Sequence, residues 1–252
     1  MPSYNTASFI KESIESVIGQ TYTNWELIIV DDCSTDNTEV VVSEFKDKRI
    51  KFFKNSKNEG AAFSRNFAIK NASGKWIAFL DSDDIWKNTK LEKQIAFMEK
   101  NDYHFSYCSY YEFENDKNNV RTVIKGPKTI NKRKMSACCW IGCLTAIYDS
   151  TVAGIVQIPL FKKNNDYAIW ISVIRYSKCF FLDESLAFYR KGRNNSISNI
   201  SLSEKIKWQY KIYKETNKSG FFAFILTMRS IFWNVYKKIK YVKKIKGGYN
   251  DN

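Results

Sequence analysis

The sequence contains little that would hold a transition metal. It has one histidine, His104, and none of its six cysteines stands in a Cys-x-x-Cys pair, so a zinc site is not expected. His104 lies in an apolar and aromatic run, which predicts a packed core residue. Unpaired cysteine spacing is typical of free thiols in a reducing compartment. The sequence also lacks a signal-peptide pattern, internal repeats, low-complexity segments and an unbroken apolar run of about 20 residues, the length that spans a bilayer.

Positive charge is concentrated at the C-terminal end. Residues 201–252 carry 12 Lys and Arg against three acidic residues, which is +9 of the formal net charge of +14. The apolar segment 221–236 precedes a lysine-rich segment, 237–246. This pattern favours a helix lying in the headgroup region of an anionic membrane. The alternative is a helix that packs onto the domain and leaves a solvated basic end.

An acidic segment follows a buried strand in the first half of the chain. Ile77 to Leu80 form a short apolar run, and Asp81-Ser-Asp-Asp84 follows it. On an extended chain the side chains of Asp81 and Asp83 would project to the same side. Two carboxylates close together repel each other, and this favours a divalent cation bound between them, Mg²⁺ or Mn²⁺. The alternative is that these residues only form a solvated turn or a helix cap.

The first hundred residues alternate between strand and helix patterns. Apolar runs at 25–30, 50–53 and 77–80 predict strands, and Ile10, Ile14 and Val17 share one face of a predicted helix. Ser34 and Thr35 are expected to cap the helix after the second strand, and Thr89-Lys-Leu-Glu92 is expected to form a capping box. The alternation predicts an α/β fold with a doubly wound, mostly parallel central sheet. Its carboxyl rim would carry Asp31, Asp32 and the segment 81–84, where we expect a nucleotide.

Shorter aromatic strands are predicted after residue 103, and a helix is predicted to begin near residue 165. Asp166 would lie at the N-terminus of that helix, where the helix dipole favours the ionised carboxylate.

Several spaced motifs follow one another along the chain: Pro2-Ser-Tyr-Asn5, Gln20-Thr-Tyr22, Trp25 to Asp36, Asn58-Glu-Gly60, Ser64-Arg-Asn66, Leu80 to Asp84 with Trp86, Asn165-Asp-Tyr167 with Trp170, Tyr189-Arg190, and Ser196-Ile-Ser198. Together they resemble the family 2 glycosyltransferases, which have the GT-A fold. The resemblance covers residues 1–200, expected to form the glycosyltransferase domain, with 201–252 as a basic helical extension. The second half is most similar to bacterial enzymes of O-antigen and capsule assembly.

The resemblance implies roles for individual residues. Asp83 would hold the divalent metal, and Asp166 would be the catalytic base. Arg193 replaces a histidine that many relatives carry after the Tyr-Arg pair. The first strand is also nearly absent, so either translation begins upstream or the sheet tolerates a stub. The residues expected to contact the nucleotide sugar are Tyr4, Asp32, Arg65, Asp81, Ser82 and Arg193.

The implied activity is inverting, metal-dependent transfer of a hexose from a UDP-sugar to a lipid-linked saccharide in surface polysaccharide biosynthesis. The protein is expected on the inner face of the bacterial plasma membrane, without a nucleic-acid partner. A nucleotidyltransferase is one alternative, but residues 2–7 lack the glycine-rich basic loop it needs. A non-enzymatic binder of nucleic acid or membranes is the other, but its ligand rim would be acidic.

Overall fold

The computed structural model describes residues 1–160, 164–192, 201–217 and 219–245. Two sheets and their covering helices form the fold. The smaller sheet is parallel, in the order β1-β2-β3, with Pro2 opposite Val30 and Leu27 opposite Ile50. The central strand β2 is buried along its whole length because every residue from Leu27 to Val30 is apolar. The strands are β1 (Pro2–Ser3), β2 (Leu27–Asp31) and β3 (Ile50–Lys54).

The larger sheet combines one parallel pair with several antiparallel pairs. The long strands β6 and β10 run parallel, and β4 joins the sheet through its antiparallel neighbour β9. The predicted α/β class is confirmed. The parallel order holds for β1 to β3 and for β6 with β10. Among the antiparallel pairs of the described residues only β6 and β7 are neighbours in the chain, and the others join strands that are distant in sequence. The strands are β4 (Trp76–Ala78), β5 (Ile85–Trp86), β6 (Phe105–Phe113), β7 (Thr122–Ile124), β8 (Thr129–Ile130), β9 (Ala146–Asp149), β10 (Cys179–Arg190) and β11 (Val242–Lys244).

The helices follow the predicted apolar periodicity. Helix α1 buries Ile10, Ile14 and Val17 on one face, as expected. A short 3-10 helix, Cys143–Thr145, precedes β9. The α-helices are α1 (Ile10–Ile18), α2 (Thr38–Ser43), α3 (Ala61–Lys70), α4 (Lys90–Lys100), α5 (Lys132–Met135), α6 (Ser150–Ala153), α7 (Asn165–Val173), α8 (Leu202–Asn217) and α9 (Gly220–Tyr241).

Three local predictions are wrong, because each side chain has another partner in the folded chain. The hydroxyl of Ser34 donates to Asp31 instead of capping α2, whose N-cap is Asn37. Thr89 makes no side-chain cap bond at α4, and Glu92 accepts a hydrogen bond from the Thr21 hydroxyl at 2.6 Å. His104 is half-buried and lies 3.2 Å from an Asp149 carboxylate oxygen, so it is not a core residue. All six cysteines are free thiols, as predicted.

The C-terminal helices pack onto the larger sheet's core. Ile212 and Tyr213 of α8 and Ala223 of α9 are buried in the same cluster as Trp170. After α9 the chain adds β11 to the edge strand β7, with Val242 opposite Ile124. Within the described ranges, no helix combines the length and apolar character that crossing a bilayer requires.

Candidate active site

The acidic segment after β4 forms a turn. The Asp84 amide donates to the Asp81 carbonyl at 3.1 Å, and Ser82 and Asp84 are buried. The expectation that Asp81 and Asp83 alternate along an extended chain is therefore wrong, because the backbone folds back after Leu80. The three carboxylates still act on one another. Burial, and then the negative charges of Asp83 and Asp81, raise the pKa of Asp84 well above its usual value.

Arg190, at the end of β10, clamps this turn. Its backbone amide donates to Asp84 Oδ1 at 2.9 Å, and its Nε donates to the Asp83 carbonyl at 3.0 Å. Its Nη2 forms an ion pair with Glu12 of α1. The guanidinium also lies over the ring of Phe113, with 4.5 Å between the guanidinium carbon and the ring centroid. One side chain thus joins β10, α1 and the acidic turn.

The acidic turn offers oxygen ligands to a divalent cation. The buried Asp84 Oδ2 has no hydrogen-bond partner among the described residues, and Asp83 is half-buried beside it. No cluster of three or more His, Cys, Asp and Glu side chains suited to a metal occurs in the part of the chain that the structure describes. Mg²⁺ and Mn²⁺ sites of nucleotide enzymes need only one or two carboxylates, because phosphates and water complete the shell. The residues of the turn fit such an ion.

Arg65 of α3 connects the acidic turn to α7. Its side chain is buried, its Nη2 donates to Asp81 Oδ1 at 2.5 Å, and its Nη1 donates to Asn165 Oδ1. Burial would lower the pKa of the Arg65 guanidinium, but the ionisable groups of Cys143, Asp81 and Asp166 raise it overall. Arg65 therefore stays charged and holds residues 81 and 165 together.

Asp166 lies in the first turn of α7, as predicted. Its Oδ1 accepts a hydrogen bond from the Tyr167 amide at 2.8 Å. Burial raises the pKa of Asp166, although the positive charge of Arg65 and the Tyr167 amide act in the opposite direction. The helix N-terminus is expected to favour the ionised carboxylate, but burial has the larger effect and raises the pKa instead. A carboxylate with a raised pKa is a stronger base.

Asp32, directly after β2, is buried and holds the turn that leads into α3. Its Oδ1 accepts from Asn55 Nδ2 at 2.7 Å and from the Glu59 amide at 3.0 Å, and its Oδ2 accepts from the Gly60 amide at 2.7 Å. Each carboxylate oxygen can accept two hydrogen bonds, so Oδ2 can take one more donor. Asn55 also donates to the hydroxyl of Ser64 at 3.0 Å, next to Arg65. Asp32 is thereby linked to the start of the Arg65 network.

Tyr4 lies on the loop after β1 with 45% of its surface exposed. The next residue, Asn5, has φ of 50°, and its backbone amide donates to the Ser34 hydroxyl at 2.9 Å. The loops after β1 and β2 are therefore fastened together near Tyr4. The predicted site residue Arg193 lies outside the described residues.

Sequence reasoning did not assign roles to Arg190 or Asn165, which complete the network. The sequence signal for Arg190 was present, since it ends the apolar run Leu186 to Tyr189 and so had to be buried at a strand end. Asn165 gave no comparable signal, because an Asn before a helix is common at caps.

The comparisons with known proteins identify the family. The family model described as glycosyl transferase family 2 matches residues 1–150. The chain belongs to this family. It is 42% identical over 213 residues to the Escherichia coli UDP-Glc:alpha-D-GlcNAc-diphosphoundecaprenol beta-1,3-glucosyltransferase WfgD, covering 82% of each chain. It is 36% identical over 223 residues to the putative teichuronic acid biosynthesis glycosyltransferase TuaG of Bacillus subtilis, covering 87% of this chain and 88% of TuaG.

Solved structures of glycosyltransferases have the same fold. S. aureus TarS, in complex with UDP-GlcNAc, superposes with a TM-score of 0.71 at 19% identity over 91% of this chain and 70% of that chain. The mannosyltransferase PcManGT of Pyrobaculum calidifontis, in complex with GDP-Man and Mn²⁺, gives 0.65 at 15% identity over 94% of this chain and 71% of that chain. The protein is a glycosyltransferase with the GT-A fold, as predicted, and the nucleotidyltransferase alternative is set aside.

Proposed function

We propose that this glycosyltransferase moves a hexose from a UDP-sugar to a hydroxyl of a lipid-linked saccharide, with inversion at the anomeric carbon. The observation that carries the proposal is the Arg65 bridge, which joins Asp81 to the helix of Asp166. A donor-side carboxylate and a candidate base are thereby fixed at one centre. The relatives support the substrate classes, since WfgD is named for UDP-Glc and a lipid diphosphate-linked GlcNAc, and TarS is solved with UDP-GlcNAc.

On the donor side, Tyr4 and Asp32 would hold the base of the nucleotide. The open acceptor position on Asp32 Oδ2 suits an N–H donor such as that of uracil. Asp81 would accept from the ribose, with Ser82 beside it and Arg65 fixing its carboxylate. Asp83 would hold Mn²⁺ or Mg²⁺, which neutralises negative charge on the departing diphosphate when bound.

On the acceptor side, Asp166 would remove the proton of the attacking hydroxyl. Its half-buried position and raised pKa suit a general base, because proton transfer is most effective when the pKa of the base approaches the working pH. A single base that activates the nucleophile opposite the leaving group gives inversion.

The test is Asp166→Asn, assayed for sugar transfer and for UDP binding. The amide keeps the shape and the acceptor oxygen for the Tyr167 amide, but it takes no proton. We expect transfer to fall by about 10²–10⁴-fold while UDP binding is retained. Asp102→Asn is the matched control, because the Asp102 side chain is 94% exposed. Full transfer by Asp166→Asn would refute its role as base.

Helix α9 supports an anionic membrane surface as the second partner. Its apolar stripe, Phe221, Ile225, Met228, Phe232, Val235 and Ile239, recurs every three or four residues, and each member is between 43% and 79% exposed. The helix contains no acidic residue, and its exposed Lys238 and Lys240 lie near its C-terminal end. An apolar face with lysines beside it matches the interface of an anionic leaflet. The protein would act there, on the inner face of the bacterial plasma membrane.

Vesicle sedimentation with Phe232→Ser/Ile239→Ser tests this surface. We expect binding to phosphatidylglycerol vesicles to weaken roughly 100-fold. Each large apolar side chain that no longer inserts loses about 1.5 kcal/mol of burial free energy. Val40→Ser is the control, because Val40 is 59% exposed on α2, away from the stripe. Binding to duplex DNA instead of vesicles in a salt titration, or a dimer that covers the stripe, would contradict the proposal.

A further inference from the structure

A cavity of about 540 Å³ lies between α9 and the segment from Pro127 to Trp140. It is separate from the carboxylates described above. Cations and large aromatic rings make up most of its described lining, which includes no Asp or Glu. No residue of the proposed catalytic network lines it.

Four cations converge on this cavity. Arg229 donates to the Arg133 carbonyl at 2.6 Å, Lys134 donates to the Thr129 carbonyl at 2.9 Å, and Lys240 donates to the Tyr236 hydroxyl at 2.8 Å. Each of these acceptors is an uncharged oxygen. None of the four is paired with a carboxylate within the described ranges. Several uncompensated charges around one cavity favour an anion with more than one negative charge, and guanidinium groups match phosphate oxygens in geometry. The cations are Arg133, Lys134, Arg229 and Lys240.

Aromatic rings from both walls lie among these cations. Trp140 meets Trp233 with 5.9 Å between ring centroids, and it meets Tyr241 at the same separation. These rings offer apolar faces next to the cations. The combination suits an amphipathic ligand whose phosphate group joins an apolar chain or a sugar ring, rather than a free inorganic ion.

Helix α9 links the cavity to the apolar stripe and to the candidate base. Arg229 and Lys240 are on α9, the helix whose exposed face carries the stripe. Lys237 of the same helix donates to the Cys139 carbonyl at 2.7 Å, and its positive charge acts on Asp166. Cys139 directly precedes Trp140, which lines the cavity. If the cavity holds a lipid diphosphate, the stripe would take the lipid tail and the sugar would extend towards Asp166.

We propose that this cavity binds the diphosphate of the lipid-linked acceptor. The inference rests on the proposed function and adds a site to it: Arg133, Lys134, Arg229 and Lys240 hold the diphosphate and thereby position the sugar for Asp166.

Binding of farnesyl diphosphate to the full chain tests the site without requiring catalysis. UDP and Mg²⁺ are kept at saturation so that the nucleotide site is filled. We expect Arg133→Gln/Lys134→Gln to weaken binding roughly 100-fold, about tenfold for each charged hydrogen bond lost, and to leave UDP binding unchanged. Both side chains are exposed, so folding should be retained. Lys132→Gln is the matched control, because Lys132 is an exposed neighbour outside the cavity.

Further binding measurements distinguish a lipid diphosphate from a phospholipid headgroup and from UDP. The wild-type protein should bind farnesol no more tightly than the double variant binds farnesyl diphosphate. Equal loss of phosphatidylglycerol vesicle binding in the double variant would assign the cavity to a phospholipid headgroup and overturn the proposal. Competition by UDP, or unchanged farnesyl diphosphate affinity in the double variant, would also overturn it. If the proposed reaction fails but this binding persists, the error lies in the reaction and not in the cavity.

Transfer assays give a second readout. The double variant should raise the KM for a diphosphate-linked acceptor while leaving transfer to a phosphate-free alkyl glycoside unchanged. A fall with both acceptors would contradict a diphosphate site.

Discussion

Arg190 offers the sharpest test of how the acidic turn is held. Its Nε donates to the Asp83 carbonyl and its Nη2 to Glu12, while its backbone amide donates to Asp84. Arg190→Lys keeps the positive charge and the backbone bond. It removes the planar group that reaches two partners at once.

The expected cost follows from the burial of each partner. The bond to the Asp83 carbonyl is part-buried, and a hydrogen bond to a charged group contributes about 1.5–3 kcal/mol. The Glu12 side chain is 52% exposed, so that ion pair adds no more than about 1 kcal/mol. Lysine can restore one of the two contacts. The net loss in the free energy of unfolding should therefore be about 1–3 kcal/mol.

Two measurements check this reasoning. Urea denaturation gives the change in stability, and the metal concentration for half-maximal transfer reports the position of Asp83. We expect the variant to need more metal. The matched control is Arg175→Lys, the same change at an exposed arginine, which should have a smaller effect on stability and none on the metal requirement. If Arg190→Lys costs no more than the control and needs no more metal, the clamp is not what positions the turn.

Three further predictions follow from other side chains. Asp83→Ala should raise the metal concentration needed for transfer while metal-free UDP binding is retained, and an unchanged metal titration would contradict its role as ligand. Because the pKa of Asp166 is raised, transfer should begin to fall on acidification at a higher pH than the ordinary Asp pKa of about 4 would give. Asp166→Asn should lose this acidic limb of the pH profile. Burial lowers the pKa of Lys90 to about 8, so the unfolded state binds more protons between pH 8 and about 10.4, and stability rises with pH there. Lys90→Met should therefore be more stable than wild type at pH 7, by up to about 3 kcal/mol minus the contribution of the lost bond to Gln94. Urea denaturation should show this stability difference shrinking between pH 8 and about 10.4. A stability difference that does not depend on pH would refute the reasoning.

The features that depend on local sequence were predictable. The apolar runs fix β2 and β4, the spacing of Ile10, Ile14 and Val17 fixes α1, and Asp166 falls in the first turn of its helix. In each case the signal lies within one turn or one strand. The motif order then identified the family before any tertiary contact was known.

The features that depend on distant partners were not predictable. Arg65 and Asn165 are 100 residues apart, and Arg190 and Asp84 are 106 apart. Glu92 has the spacing of a capping box, but in the folded chain its carboxylate accepts a hydrogen bond from the Thr21 hydroxyl. The turn at 81–84 depends on both kinds of contact, since the backbone bond from Asp84 to Asp81 closes it and the distant Arg190 also holds it.

Arg65 and Arg190 are both buried, and the energetics of buried charges indicate why the site contains them. A buried ion pair is rarely more stable than an apolar pair of the same size, whereas losing one partner is strongly destabilising. Stability alone therefore gives little reason for Arg65 or Arg190. Their value is positional: Arg65 ties α3 and Asp81 to α7, and Arg190 ties β10 and α1 to the turn. Because each bridge spans separate elements, the donor-side carboxylates and Asp166 should move together rather than independently.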